Sequence, residues 1–245
     1  PTAVEYNGRL YVYGTNDHQQ FEIAGPDKDN TYEKIKSLLV FSTDDMVNWT
    51  YHGEINVGEI APWITASWAP SIVSRVESDG KTHFYLYFSN SGIGTGVITS
   101  TDPVTGWTDP LGHCFVTSQS PGIDGSETPF DPGVVIDDNG VGWLAVGGGD
   151  QTAAMPDGAR IVQLGDDMIS FASDFKRIYA PYHFEANELN YINGTYVYTY
   201  CSNWADRRNI QWDYDCDAPG GCGMVYMTTK TPLDPDSWQV KGECF

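Results

Sequence analysis

The chain has 245 residues, enough for one large all-β domain or for two smaller domains with substantial cores. Its 33 acidic residues outnumber 13 basic ones, and a net charge of −20 disfavours phosphate backbones and anionic lipid surfaces as partners. No apolar run approaches the ~20 residues of a membrane span. The sequence therefore predicts neither a nucleic-acid partner nor a membrane partner.

A turn dipeptide between two apolar runs occurs four times along the chain. The four turns are Asn7-Gly8, Asp79-Gly80, Asn139-Gly140 and Asn193-Gly194. A short β run precedes each turn and a longer one follows it, as in RLYVYGT after the first turn and TYVYTYCS after the last. Each of these segments predicts a β-hairpin.

A Ser/Thr/Asp turn and then an aromatic residue follow each hairpin. The aromatic residues are Trp49, Trp107, Phe171 and Trp238. Repeats of about four strands each, with almost no helical periodicity, predict the blades of a β-propeller. A β-sandwich is the alternative, but its strands more often alternate polar and apolar residues, whereas these are apolar on both faces.

Carboxylic acids precede the first strand of two repeats. Counted back from the turns, the first strands begin at Pro1, Pro70, Pro132 and Ala186. The residues ahead of the last three are Ala69, Asp131 and Glu185. Such strand starts converge around the central channel of a propeller, so we expect Asp131 and Glu185 to lie together. Taken alone, Asp131 is more typical of a turn and Glu185 of a solvated strand end.

Five segments of the chain form a distinctive set: PTAVEYNGRLYVYGT, SWAPSIV, YFSNSGIGTGVITSTDPVTGWTDPLG, FDPGVVIDDNGVGWL and FEANELNYINGTYVYTYCSNW. Through these segments together, the chain resembles the family 43 glycoside hydrolases. The resemblance implies an all-β, five-bladed β-propeller, of which about four blades are present in this chain. It also implies that residues 1–245 form a single catalytic propeller domain that is truncated at both ends.

The same resemblance implies roles for the two acids. Glu185 matches the general acid, and Asp131 matches the aspartate that orients this acid and adjusts its pKa. The general base is expected to be an aspartate directly before Pro1, outside this chain. Partial burial and the charge of Asp131 should raise the pKa of Glu185. A base about 6.5–9.5 Å from the acid leaves room for the attacking water of an inverting reaction.

Other groups are weaker candidates. Trp68 and Trp63 are candidate platforms for a sugar ring, with core packing as the alternative for each. Asp17 lies in a loop expected to reach the pocket or to cross the surface, and His18 beside it is left out of the catalytic set. No cofactor is expected for the chemistry and no metal site is assigned, although the resemblance allows a structural calcium ion in the full-length parent.

The chain has an odd number of cysteines. They are Cys114, Cys201, Cys216, Cys222 and Cys244. Cys216 and Cys222 bracket the segment DAPGG, which is compatible with a disulfide-closed loop in an oxidising compartment, but free thiols are an equal alternative.

Three functions are compatible with these observations. The first is a secreted glycosidase that cleaves terminal α-L-arabinofuranosyl or β-D-xylosyl linkages in arabinoxylan or arabinan with inversion, so that its partner is a polysaccharide or oligosaccharide. The second is an endo-arabinanase on the same scaffold. The third is a non-catalytic carbohydrate-binding propeller, which the residue before Pro1 in the parent would distinguish from the enzymes.

Overall fold

The computed structural model describes residues 1–124, 128–208 and 211–244, and the strands within these ranges form four four-stranded sheets. Neighbouring strands of each sheet are also consecutive in the chain, so each sheet is a meander. The chain divides into two compact units, residues 1–115 and residues 116–245.

The first sheet begins at the N-terminus of the chain. Its strands are β1 (Thr2–Tyr6), β2 (Arg9–Thr15), β3 (Leu38–Thr43) and β4 (Thr50–Ile55). Asn7 and Gly8 join β1 to β2 with φ values of 53° and 77°, the left-handed conformation of a type I′ hairpin turn. Helix α1 (Asp17–Ala24) follows β2, and α2 (Val57–Ile60) follows β4. Asp17 and His18, which were expected to lie in a loop, are therefore the first two residues of a helix.

The first three strands of the second sheet complete the apolar core of the first unit. The strands of this sheet are β5 (Trp68–Val76), β6 (Thr82–Ser89), β7 (Gly94–Ser100) and the two-residue β8 (Val116–Thr117), and a short 3₁₀ helix (Ser91–Ile93) joins β6 to β7. Six successive residues of β6 are buried, so this strand is covered on both faces. Tyr13, Phe84 and Leu86 are among the fully buried residues of this core.

The third sheet lies in the second unit. Its strands are β9 (Gly133–Ile136), β10 (Gly142–Val146), β11 (Arg160–Gln163) and β12 (Lys176–Arg177). All five residues of β10 are buried. A five-residue connection that contains Asn139 and Gly140 joins β9 to β10, and the Asp137 carboxylate accepts hydrogen bonds from the amides of Asn139 and Val141 within it.

The fourth sheet follows directly in the chain. Its strands are β13 (His183–Ile192), β14 (Thr195–Ser202), β15 (Met224–Thr229) and β16 (Gln239–Glu243), and a 3₁₀ helix (Pro235–Ser237) precedes β16. Asn193 and Gly194 form the tight turn between β13 and β14, with φ values of 50° and 77°. The core of this unit includes Tyr198, Tyr200 and Val225, which are fully buried.

The four predicted hairpins are confirmed, and so are the polar turns that follow them. The turn between the third and fourth strands of each sheet contains an aspartate whose side chain accepts a backbone N–H two residues further on. These aspartates are Asp45, Asp102, Asp167 and Asp234. Trp107 and Trp238 are buried after two of these turns, whereas Trp49 is 48% exposed. None of the described helices is long and apolar enough to cross a membrane.

Candidate active site

Glu185 lies near the start of β13, where the strand is irregular. It pairs with Cys201 on β14, and the register of the ladder shifts on both sides of it, between His183 and Glu185 and between Glu185 and Glu188. A bulge of this kind bends a strand and redirects the side chains that it carries. The Glu185 side chain is half-buried, and its neighbours in the chain are Phe184 and the exposed Ala186.

Asp131 lies two residues before the first residue of β9 and contacts β13. Its backbone is in the left-handed region, with φ at 49°, and the residue is only 8% exposed. The Asp131 Oδ2 atom accepts a hydrogen bond of 2.8 Å from the amide of Ala186, the residue after Glu185. The structure therefore brings the two predicted acids together through the backbone of Ala186.

A glycine lets β9 approach β13 closely. A Cβ atom on Gly133 would lie 2.6 Å from the Cα atom of Glu188 and 2.9 Å from its backbone nitrogen. Such contacts are too short for any side chain, so a residue other than glycine would push the two strands apart. Because Asp131 is two residues before Gly133, this close approach keeps Asp131 within reach of Ala186.

The environment of Glu185 changes its acidity. Burial raises its pKa, and the nearby negative charge of Asp131 raises it further, to about 7. A carboxylic acid with this pKa still holds its proton near neutral pH and can deliver it to a departing oxygen. The sequence predicted the direction of this shift and both of its causes.

The two acids do not occupy the same strand position, which corrects the register predicted by counting back from the turns. Ala69, Asp131 and Ala186 share a left-handed φ, at 38°, 49° and 59°. The bulges of β5 and β13 also match Glu185 with Trp68. Each of these residues is paired with the neighbouring strand, and the next paired residue of its own strand lies three positions further on. Ala186 is therefore the residue of the fourth sheet that corresponds to Asp131, and Glu185 lies one position before it. The count failed because the β9–β10 turn is longer and β13 is bulged.

Three further candidates belong to the first unit. The Trp63 indole donates to Asp109 Oδ2 at 2.6 Å and stacks on Phe88, with ring centroids 6.4 Å apart. The Trp68 indole donates to the Tyr32 carbonyl at 2.9 Å. Both tryptophans are half-buried. Asp17 is exposed and is the first residue of α1.

Sequence reasoning did not single out two residues close to Glu185. Asn187, two positions further along β13, is buried, and its amide nitrogen donates to the carbonyls of Asp131 and Gly147, both at 2.8 Å. Trp204 is 56% exposed and packs edge-on against Phe184, with centroids 5.0 Å apart. Asn187 stands where the second and third repeats have Pro70 and Pro132, and this break in the repeat was a usable signal.

The cysteines adopt a different arrangement from the loop closure considered for Cys216 and Cys222. No disulfide bond joins any of the five cysteines in the described ranges, so Cys216 and Cys222 are not linked. Cys222 instead lies beside Cys201, and burial, the Cys222 thiol and Glu185 together raise the pKa of Cys201 to about 11. Cys201 is therefore an uncharged neighbour of Glu185 at neutral pH.

The model of the glycosyl hydrolases family 43 matches residues 1–244. The chain belongs to this family. Two family 43 relatives are named arabinoxylan arabinofuranohydrolase. The one from Bacillus subtilis is 40% identical over 98% of this chain and 48% of its own length. The one from Paenibacillus polymyxa is 37% identical over 98% of this chain and 39% of its own length.

Solved structures agree with the family assignment. The family 43 arabinoxylan arabinofuranohydrolase from Bacillus subtilis, solved with cellotetraose, has a TM-score of 0.86 at 39% identity and covers 99% of this chain and 51% of that one. An α-L-arabinofuranosidase from Clostridium thermocellum has a TM-score of 0.77 at 35% identity, over 99% of this chain and 71% of that one. The predicted all-β propeller fold is confirmed, with four blades in the described residues.

This family 43 chain spans about half the length of the Bacillus relative and less than half the length of the Paenibacillus relative. The activity and the substrate of the whole protein therefore belong to the proposal below. In the described ranges, no cluster of three or more His, Cys, Asp or Glu side chains is arranged to hold a metal ion.

Proposed function

We propose that this chain is part of the catalytic domain of an inverting glycoside hydrolase that acts on plant cell wall polysaccharides. The half-buried Glu185, with its pKa near 7 and Asp131 beside it, is the observation that carries the proposal. The linkages cleaved are terminal α-L-arabinofuranosyl or β-D-xylosyl linkages. The names of the Bacillus and Paenibacillus relatives favour the arabinofuranosyl groups of arabinoxylan.

In this proposal Glu185 is the general acid. Its carboxyl proton passes to the glycosidic oxygen as the bond to the sugar breaks, so that the leaving group departs as a neutral alcohol. Asp131 remains ionised and accepts a hydrogen bond from the Ala186 amide. Its negative charge helps to keep Glu185 protonated. Asp131 thereby orients the segment that carries the acid and adjusts its pKa.

The remaining parts of the site are proposed for the full-length protein. The general base is an aspartate directly before Pro1, which activates a water molecule on the face of the sugar opposite Glu185. Residues 1–245 belong to one propeller domain, which a fifth blade completes. Trp63, Trp68 and Asp17 are proposed to contact the substrate. Because the polysaccharide is too large to enter a cell, the enzyme is proposed to be secreted.

The test separates substrates by their leaving groups. In the full-length protein, Glu185→Gln should reduce arabinose release from arabinoxylan by about 10²–10⁴-fold, since general acid catalysis is typically worth this much. Aryl arabinofuranosides with acidic phenol leaving groups need less proton transfer and should keep most of their activity. The measurement is kcat/KM on both substrate types, for arabinose- and xylose-based glycosides.

Two outcomes would contradict the proposal. An equal loss of activity on both substrate types would mean that Glu185 is not the proton donor, and Glu188 would be the next acid to test. A wild-type protein that binds arabinoxylan but releases no sugar would instead be a non-catalytic binding propeller. Nuclear magnetic resonance of the first anomer released distinguishes inversion from retention.

A further inference from the structure

Asn187 is the polar residue whose side chain links the segment before β9 to β13. It is 5% exposed, and its amide nitrogen donates to the Asp131 carbonyl and to the Gly147 carbonyl, both at 2.8 Å. The two amide hydrogens thus satisfy two buried carbonyls from different segments. The nitrogen must face these carbonyls, because an amide oxygen in its place has no hydrogen to donate.

The amide oxygen of Asn187 is held from the other side. It accepts hydrogen bonds from the Tyr198 hydroxyl and from His183 Nε2, the latter at 2.8 Å. His183 is fully buried, and burial lowers its pKa to about 4, so the ring is neutral at neutral pH. It must therefore carry its proton on Nε2 to donate to the oxygen. The orientation of the Asn187 amide is consequently fixed at both ends.

This amide acts where the backbone is unusual. Asp131, whose carbonyl binds the Asn187 amide, has a φ of 49°. Ala186, the residue directly before Asn187, has a φ of 59°. Non-glycine residues persist in this region only when their surroundings hold them there. In this arrangement of the two segments, the Asp131 carboxylate accepts the hydrogen bond of the Ala186 amide at 2.8 Å.

We propose that Asn187 is a positioning residue, which holds the Asp131 backbone so that its carboxylate lies against the Ala186 amide beside Glu185. This inference rests on the proposed function, in which Asp131 acts on Glu185. The Asn187 side chain is buried, and its polar atoms bind Asp131, Gly147, Tyr198 and His183. Its effect on the reaction passes through Asp131.

The decisive readout is the pKa of Glu185, measured by titration of its ¹³C-labelled side-chain carboxyl group. Among the described residues, the titratable groups coupled to Glu185 are Asp131, from the segment before β9, and Cys201, from β14. Cys201 is uncharged at neutral pH. The Asp131→Asn variant, compared with wild type, reports the full contribution of the Asp131 charge to the pKa of Glu185 and serves as the calibration.

Asn203 provides a matched control in the same unit. It is fully buried, and its amide nitrogen donates to the carbonyls of Asp150 and Ala153 at 2.7 and 2.8 Å. Asn187→Ala and Asn203→Ala therefore each remove a side chain that binds two carbonyls, and both should lower the melting temperature. Only Asn187→Ala should lower the pKa of Glu185, by at least half of the shift that Asp131→Asn causes.

The experiment has clear negative outcomes. An unchanged Glu185 pKa in folded Asn187→Ala, or an equal shift in Asn203→Ala, would overturn the inference. If the alanine variant does not fold, Asn187→Ser keeps one donor and is measured instead. In wild type, the Asn187 side-chain amide protons should exchange slowly with solvent, and fast exchange would also overturn the inference. A wild-type protein without glycosidase activity would refute the proposed function alone, because the titration needs no substrate.

Discussion

At the scale of single residues, the proposed chemistry depends on the different environments of two carboxyl groups. Glu185 is half-buried on a bulged strand, and its pKa is raised to about 7. Asp131 accepts a backbone amide, an interaction that favours the ionised form of a carboxyl group. One acid therefore keeps its proton near neutral pH while its neighbour supplies negative charge, which is the division of roles that a general acid and its modulator require.

Replacing the Asp131 charge should change the pH dependence of the reaction. In Asp131→Asn, the amide oxygen can still accept the Ala186 hydrogen bond, but the charge that raises the pKa of Glu185 is gone. The basic limb of the kcat/KM profile should move down by roughly one pH unit, because burial, the larger cause, remains. A basic limb at the wild-type position would show that Asp131 does not set the acidity of Glu185.

The same raised pKa should make Glu185 a source of instability above neutral pH. Its pKa is about 7 in the folded protein against an ordinary value of 4.5, so the stability that it contributes is fully present below pH 4.5 and is lost as the pH rises through 7. Glu185→Gln cannot ionise. It should raise the free energy of unfolding at pH 8 by up to about 3 kcal/mol and change it little at pH 4.

Thermal unfolding of wild type and Glu185→Gln at the two pH values measures this effect. The melting temperature of the variant should exceed that of wild type by about 5–10 °C at pH 8. Glu188→Gln is a suitable comparison, since it removes a neighbouring acid on the same strand. Equal melting temperatures at pH 8 would mean that Glu185 is not held in a charge-excluding environment.

At the scale of strands and turns, the site depends on how closely β9 and β13 approach each other. In Gly133→Ala, the new Cβ would lie 2.6 Å from the Glu188 Cα atom, and backbone atoms would have to move. We expect a loss of about 1–3 kcal/mol of stability and a lower kcat/KM, as Asp131 is displaced from Ala186. Gly14→Ala in β2 is the control, because no atom lies within 4 Å of its added Cβ. Urea unfolding and kinetics of both variants test this prediction, and equal effects would contradict it.

The hairpins were predictable because their turn residues act locally. Asn7-Gly8 and Asn193-Gly194 adopt the left-handed conformations that their residue types favour. The bulge around Glu185 was not predicted. It lies where the Ala186 amide is bonded to Asp131, which is 55 residues earlier in the chain. Counting from the turns thus found the two acids but misplaced their register by one residue. Helix α1 was also missed, and its stretch DHQQFEIA has no clear apolar face.

At the scale of the whole molecule, the resemblance and the repeat pattern identified the family and the propeller fold correctly. The four hairpins and the four aspartate turns recur with the same roles, so each repeat confirmed the interpretation of the others. The role of Asn187 was not inferred. The break in the repeat marks its position, but its role depends on contacts with Asp131, Gly147, His183 and Tyr198 that the repeat does not reveal. Long-range contacts therefore account for what the sequence left open.

The net charge of −20 should make the stability of this chain depend on salt. Like charges destabilise a compact chain, and salt screens them, with a Debye length of about 30 Å at 0.01 M and about 3 Å at 1 M. At pH 7.5 the melting temperature should therefore rise between 0.01 and 0.5 M NaCl, by roughly a few degrees. At the isoelectric point, about pH 4.3, the net repulsion disappears, so the same change in salt should have little effect on the melting temperature. Thermal scans at both pH values decide the matter. An equal rise at both would assign the effect to salt acting on apolar burial, since that contribution does not depend on the charge of the chain.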